Sequence, residues 1–208
     1  VPKGALFADS ARFLEAAGLD VETLKNADRV LVIKAEGVEY IMAKPSDVAI
    51  YVANGAADCG FGGKDILTEA DYPLLELVDL KFGACRFVVA APNDETRSLD
   101  ELAIDKGVVR VASKYPRTTT LFFNNSGIKA DVIKLNGNIE VAALIGISDL
   151  IVDITATGKT LRDNNLKIMS EMYSSTARFV ANPALARVDE RIAQLCESLR
   201  YTVKKDAL

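Results

Sequence analysis

Leu150-Ile151-Val152-Asp153-Ile154-Thr155-Ala156-Thr157-Gly158-Lys159-Thr160-Leu161 is the stretch that decides how this chain reads. Its first three residues are a short apolar run rich in β-branched side chains, as in a buried strand. Asp153 stands at the strand tip, small residues make a turn, and Leu161-Arg162-Asp163-Asn164-Asn165 reads as a helix that soon stops. Such a junction makes an anion site, because the first N–H groups of a helix lack intrahelical acceptors and the dipole favours negative charge there. Thr157, Gly158, Lys159 and Thr160 supply those N–H groups, and Gly158 permits close approach or a positive φ. The Thr hydroxyls can donate to phosphate oxygens, and Asp153 can accept from sugar hydroxyls. Acid and loop together point to a phosphorylated sugar. The same residues also read as an ordinary strand–loop–helix turn with Thr157 as N-cap. Neither G-x-x-x-x-G-K-[ST] nor G-x-G-x-x-G is present, so the common nucleotide loops are excluded.

Upstream of this stretch, strands at 108–112 and 131–135 alternate with helices that begin at Pro116 and at Ile139. The alternation predicts a parallel sheet with right-handed crossovers and ligands beyond the carboxyl ends of its strands. The polar, turn-rich run Pro92-Asn93-Asp94-Glu95-Thr96-Arg97 predicts a domain crossing. Ahead of it come a helix over 10–17 closed by Gly18, a hairpin of 30–33 and 38–42 about Glu36-Gly37, and a helix opened by Lys44-Pro45. Next are a small-residue strand and loop over 57–63, a helix from Lys64, and strands at 74–80 and 85–91. Gly60, Gly62 and Gly63 offer a second place where backbone can approach a ligand. After the central stretch come strands at 167–173 and 177–182, an amphipathic helix over 188–199 and a loose end over 203–208. The expected architecture is α/β, with two lobes and a cleft between them: residues 1–91 with 175–208, and residues 92–174.

The 208 residues suffice for one large domain or two small ones. A net charge of −4 speaks against nucleic-acid binding. No apolar run reaches the roughly 18 residues of a membrane span. No signal-peptide pattern opens the chain, and its start at Val1-Pro2-Lys3-Gly4 without Met is consistent with a few further residues upstream. Cys59, Cys85 and Cys196 match no metal spacing and lie in apolar surroundings, which predicts buried free thiols in a reducing compartment. Histidine is absent, and His-based general-base chemistry and His metal ligation go with it.

Several spaced motifs resemble, in order and over essentially the whole length, the short-form catalytic chains of the ATP phosphoribosyltransferase family. They are Pro2-Lys3-Gly4, Asp47 through Tyr51-Val52, Gly55-Ala56-Ala57-Asp58, Gly63-Lys64-Asp65, Cys85-Arg86, Ser113-Lys114-Tyr115-Pro116, Leu135 through Glu140, and Asp153 through Leu161. The resemblance implies a fold like type II periplasmic binding proteins. It implies a cytoplasmic glycosyltransferase of histidine biosynthesis that joins N1 of ATP to C1 of phosphoribosyl pyrophosphate, with inversion and release of pyrophosphate. The first lobe would take ATP and the second phosphoribosyl pyrophosphate.

By the same resemblance, Glu140, Asp153, Thr155, Ala156, Thr157, Gly158, Lys159 and Thr160 bind phosphoribosyl pyrophosphate. Lys3, Gly4, Gly60, Gly62 and Asp65 bind ATP, and Arg29 and Lys44 neutralise the leaving pyrophosphate as catalytic residues. Mg²⁺ is carried mainly by the pyrophosphate, with no metal ligand assigned to the protein. Two positions depart from the family pattern: Ala5 and Lys44 stand where many members have Arg. Lys is a point charge without the bidentate fork of Arg. Long-form members carry an ACT-like C-terminal domain, whereas here only a few residues follow the last helix. The resemblance therefore implies a homodimer that joins a regulatory subunit similar to histidyl-tRNA synthetase in a hetero-octamer. The competing reading is a cytosolic two-lobed binding module for a phosphorylated ligand, since fold does not fix function.

Overall fold

The structure, a computed structural model, describes residues 1–27 and 29–207. Its chain divides into two compact units: Val1–Ala84 with Thr176–Leu208, and Cys85–Ser175. The sequence placed the first crossing at 91/92. The strand that starts at Cys85 instead lies wholly in the second unit, because both of its edges are paired there.

Unit 1 opens with a 3-10 turn, Gly4–Leu6, that runs into helix α1, Phe7–Ala16. Buried Ser10, Ala11, Phe13 and Leu14 mark the helix's inward stripe. Ser10 Oγ donates to the Leu6 carbonyl at 2.7 Å, so its burial leaves the hydroxyl paired. Gly18 follows at φ 83° and ends the turn. A short helix α2, Glu22–Lys25, leads to the hairpin of β1, Val32–Ala35, and β2, Val38–Ile41, which turns at Gly37. Helix α3, Pro45–Ala53, begins with Pro at its first position, where no N–H is needed. Then come β3, Cys59–Gly63, helix α4, Lys64–Ala70, and β4, Leu75–Asp79.

Unit 2 begins with β5, Cys85–Pro92, in which Phe87 through Ala91 are fully buried. Helix α5, Leu99–Lys106, was missed in the sequence reading, although its signal was there. Ser98 and Glu101 form a capping box, with Ser98 N donating to Glu101 Oε2 at 2.8 Å and Glu101 N to Ser98 Oγ at 3.3 Å. There follow β6, Val109–Ser113, α6, Pro116–Asn125, β7, Ala130–Lys134, α7, Glu140–Leu144, β8, Leu150–Thr155, α8, Lys159–Asp163, and β9, Leu166–Ser175. The sheet order is β7-β6-β8-β5-β9. Strand β6 pairs parallel with β7 and β8, as the alternation predicts. Strand β5 is antiparallel to both β8 and β9, so the sheet is mixed rather than purely parallel.

After Thr176 the chain returns to unit 1 as β10, Ala177–Ala181, the centre of the order β3-β10-β4. Phe179 is fully buried and packs on Phe61 with ring centroids 5.6 Å apart. A ring buried this way contributes roughly 2–3 kcal/mol. Helix α9, Glu190–Asp206, is capped by Asp189 and packs Ile192, Cys196 and Leu199 into the same core as Phe13 and Phe179. Residues 203–206, expected to be loose, belong to this helix because its stripe continues to buried Thr202 and Lys204 and Lys205 suit its negative end. Leu208 lies outside the described residues.

Replacing Ser98 with Ala removes half of the capping box. The substitution is expected to lower stability by about 1 kcal/mol, read as a lower urea midpoint at unchanged slope.

Candidate active site

In unit 2 the loops after β6, β7 and β8 leave the sheet at one end, because these three strands run parallel. They carry Lys114, Glu140 and the Asp153–Thr160 stretch. The β6 loop is fastened to β8: Ser113 Oγ donates to the Val152 carbonyl at 2.8 Å and accepts from Tyr115 N at 2.9 Å. Tyr115 packs edge-on against Phe87 at 4.7 Å, which stiffens the floor under the loop.

Asp153 Oδ1 accepts from Ile154 N at 2.8 Å. Burial pushes its carboxyl above the ordinary value; the Ile154 N–H and the charge of Lys114 oppose that, and Glu140 adds to it. Glu140, at the start of α7, is buried at 9% exposure, whereas first-turn acids are commonly solvated. Asp153 and Glu140 thus act on each other across one site.

The loop itself is closed by its own hydroxyls. Thr155 Oγ1 accepts from Gly158 N at 2.8 Å, and Thr157 Oγ1 accepts from Lys159 N at 3.3 Å. Two of the N–H groups expected to face outward are therefore engaged. Gly158, not Thr157, is the cap residue, at φ 72°, where an L side chain would be strained. Arg162 Nη1 donates back to the Thr157 carbonyl at 3.0 Å. Helix α8 spans only five residues, so its dipole adds little and the loop geometry matters more. Ala156, Thr157, Lys159 and Thr160 are exposed, while Thr155 is partly covered and Gly158 is buried.

In unit 1 three expected cations lie toward the open end of the β1–β2 hairpin. Pro2 bridges Ala43 in parallel, and Lys3 N donates to the Ala43 carbonyl at 2.8 Å, so Lys3 lies beside Lys44. Arg29 precedes β1 and Lys44 follows β2, which puts both at the open end of the hairpin. Lys3, Arg29 and Lys44 are all exposed. Gly4 holds φ 80°, and nothing lies within 4 Å of the place a Cβ would take, which leaves room around that turn.

The glycines of β3 have a packing reason. A Cβ on Gly60 would stand 2.9 Å from Val48 Cγ1, and one on Gly62 3.2 Å from Leu67 Cδ2. Both residues are buried under helices α3 and α4. A Cβ on Gly63 would overlap Asp65 Oδ1, and Asp65 is itself buried in the first turn of α4.

Sequence reading missed a network beside Asp65. Lys64 Nζ meets Glu76 Oε1 at 2.5 Å, Arg178 pairs with Glu76 and with Asp79, and Thr176 Oγ1 donates to Asp79 at 2.7 Å. Burial alone would raise the Asp79 carboxyl, but hydrogen bonds from Lys81, Thr176 and Arg178 hold it well below the ordinary range. The partners come from β4, β10 and the start of α4, a meeting that only the sheet order creates. The cysteines are all free, but only Cys196 is buried; Cys59 and Cys85 are half-buried, each next to a strand end.

Among the described residues no three His, Cys, Asp or Glu side chains gather as a metal cage. The oxygens of Asp153 and Glu140 are hard donors that suit Mg²⁺ through its water shell. No described helix is long and apolar enough to cross a membrane.

A raised Asp153 pKa has a defined consequence for stability. The folded state favours the protonated form, so charging this carboxyl costs stability as pH rises above its unfolded value. Asn keeps the acceptor for Ile154 without the charge. Asp153→Asn is expected to melt above the parent protein at pH 7, with the gap closing as pH falls through the carboxylate range. Thermal melts between pH 3 and pH 7 check this, and a lower melting temperature at pH 7 contradicts it.

A family model described as HisG, ATP phosphoribosyltransferase, matches residues 44–201. An ATP phosphoribosyltransferase of Rubrobacter xylanophilus is 50% identical over 182 residues, 88% of this chain and 84% of the relative. One of Moorella thermoacetica is 45% identical over 207 residues, 96% of this chain and 90% of the relative. Among solved structures, the ATP phosphoribosyl transferase (HisG:HisZ) complex from Thermotoga maritima superposes with TM-score 0.82 at 31% identity, covering 98% of this chain and 96% of that one. An arginine-bound form of ArgBP from T. maritima gives TM-score 0.53 at 13% identity over 80% of this chain and 78% of that one, a likeness of fold alone.

Proposed function

The chain belongs to the ATP phosphoribosyltransferase family, and from that premise we propose how its residues divide the work. The reaction joins N1 of ATP to C1 of phosphoribosyl pyrophosphate and releases pyrophosphate, the first step of histidine biosynthesis. The adenine N1 lone pair forms the new bond at C1 as the bond to pyrophosphate breaks, and the bonding pair leaves with that group. Such a displacement asks the protein for alignment of two polyanions and for positive charge at the leaving group.

Unit 2 takes phosphoribosyl pyrophosphate. The 5′-phosphate sits on the Thr155–Thr160 loop, replacing the Thr hydroxyls as acceptor for Gly158 N and Lys159 N. The freed hydroxyls of Thr155 and Thr157 then donate to phosphate oxygens. The observation that carries this reading is the Gly158 turn itself, whose two N–H groups are held by movable hydroxyls rather than by backbone. Asp153 and Glu140 accept from the ribose hydroxyls, and their oxygens also suit the water shell of Mg²⁺. The ion, when bound with pyrophosphate, offsets part of that group's negative charge.

Unit 1 takes ATP. Lys3 and the Gly4 turn face the triphosphate, with Asp65 and the backbone near Gly60 and Gly62 beside it. Val48 and Leu67, packed against those two glycines, fix the strand that carries them. Arg29 and Lys44 supply charge to the departing pyrophosphate. A regulatory partner of the HisZ kind accompanies the chain, with a catalytic homodimer as the core of a hetero-octamer. The substrates are cytoplasmic metabolites, which places the enzyme in the cytoplasm.

Mass spectrometry of the purified chain with ATP, phosphoribosyl pyrophosphate, Mg²⁺ and the regulatory subunit is expected to show an ATP adduct heavier by one phosphoribosyl group. Thr157→Asp puts a carboxylate against the phosphate and is expected to cut the rate by about 100-fold or more, with the circular dichroism spectrum unchanged. An adduct formed at the parent rate moves the phosphate elsewhere; no adduct from the parent protein returns the binding-module reading. Lys44→Gln is expected to lower kcat by about tenfold to 100-fold with little change in stability, because the side chain is exposed.

A further inference from the structure

Arg86, of the Cys85-Arg86 motif, is the second residue of β5. Its Cα partner is Thr155 on β8 and Ser174 on β9. Strand β5 runs antiparallel to β8, so its first residues lie at the carboxyl end of β8, where Asp153 and the Gly158 turn emerge. Directly opposed residues of an antiparallel pair share a face, with Cβ atoms about 4.5–5.5 Å apart. Arg86 and Thr155 therefore stand side by side on one face of the sheet.

That face is the one helix α8 covers. Val88 and Ala90 of β5 and Ile151 of β8 share a core with Leu161 of α8. Side chains two apart on a strand point the same way, so Arg86 joins the set of Val88 and Ala90, and Asp153 and Thr155 join that of Ile151. The Gly158 turn leads from Thr155 into α8, and Thr155 Oγ1 holds Gly158 N at 2.8 Å. The turn thus passes over the face on which Arg86 stands.

A single side-chain contact holds Arg86. Its Nη1 donates to Glu171 Oε2 at 2.9 Å, and Ser174 Oγ donates to the other oxygen, Oε1, at 3.5 Å. A guanidinium has five N–H donors, and among the described residues only this one of Arg86 has an acceptor. The Arg86 and Glu171 side chains are 40% and 44% exposed. An ion pair so open to water gains little from its charges and opens at small cost.

We propose that Arg86 is a further binding residue for phosphoribosyl pyrophosphate, turning from Glu171 to the 5′-phosphate when that group enters the Gly158 turn. The inference rests on the assignment of the 5′-phosphate to this turn. Mg²⁺ travels with the pyrophosphate, so the 5′-phosphate arrives as a dianion without a metal. Backbone N–H groups and hydroxyls bring no net charge to meet it. The planar fork of Arg86 can donate to two phosphate oxygens at once, which the point charge of Lys159 cannot. Glu171 is then a competitor of the substrate. It keeps the cation beside Thr155 in the free protein, and binding weakens by the strength of the pair it must give up.

Ribose 5-phosphate is the probe, since it carries the ribose and the 5′-phosphate but no pyrophosphate. Its inhibition constant against phosphoribosyl pyrophosphate is measured with the chain and its regulatory subunit. Arg86→Gln is expected to raise that constant by about tenfold or more, with kcat at saturating substrates within about threefold of the parent. Glu171→Gln is expected to lower it by about two- to fivefold. A merely structural ion pair moves both variants the same way, because either substitution breaks it. An unchanged constant in Arg86→Gln overturns the proposal. So does a constant in Glu171→Gln equal to or above the parent's, which decides the matter even where Arg86→Gln fails to fold. A higher KM for phosphoribosyl pyrophosphate in Arg86→Gln with the ribose 5-phosphate constant unchanged also overturns it and gives the cation to the pyrophosphate. Thr157→Asp separates the two readings: inhibition weakened there but not in Arg86→Gln sinks the Arg86 contact alone. Inhibition unchanged in both variants, or absent from the parent, takes the phosphate from the turn and overturns both.

Discussion

The placement of β8 is the constraint on which unit 2 depends. It lies between β6, parallel, and β5, antiparallel, with Leu150, Ile151 and Val152 fully buried. A strand covered on both edges and both faces cannot slip by one residue without turning its apolar set outward. That fixes where Asp153 emerges and where the Thr155–Thr160 loop begins. The Ser113 bond to the Val152 carbonyl ties the neighbouring loop to the same point. Site precision here is inherited from the sheet, and the loop only has to finish it.

The chemistry of the site follows from two opposed demands. Carboxylates proposed to accept from ribose hydroxyls would have to be partly desolvated to be selective, and desolvation works against their charge. Asp153 shows that conflict directly, with burial and Glu140 raising its pKa and Lys114 opposing them. The loop, in the proposed assignment, would hold a dianion on backbone N–H groups and hydroxyls with Lys159 beside them. Its hydroxyl-held N–H groups can exchange one acceptor for another at small cost, since each bond is replaced rather than lost. Unit 1 adds exposed positive charge at Lys3, Arg29 and Lys44.

Much of this was legible in the sequence, because local rules dominate where elements are regular. The β6–α6–β7–α7–β8 alternation, the Gly37 hairpin and the Pro45 helix start all follow from residue type. Three features needed the third dimension. The antiparallel pairing of β5 cannot be read from an apolar run that would suit either direction. Gly60 and Gly62 look like ligand glycines until Val48 and Leu67 are seen against them. The Lys64–Glu76–Arg178–Asp79 network joins residues far apart in the chain. Helix α5 is a different case, since its Ser98–Glu101 capping box is a local signal legible from residue type alone.

The central claim is that the Gly158 turn receives the 5′-phosphate of phosphoribosyl pyrophosphate. Backbone hydrogen exchange followed residue by residue, with and without phosphoribosyl pyrophosphate and Mg²⁺, tests it most directly. The account predicts slower exchange at Gly158 and Lys159 on binding, because phosphate oxygens replace the Thr hydroxyls as their acceptors. Unchanged exchange at both, with protection appearing elsewhere in the protein at saturating ligand, would contradict it.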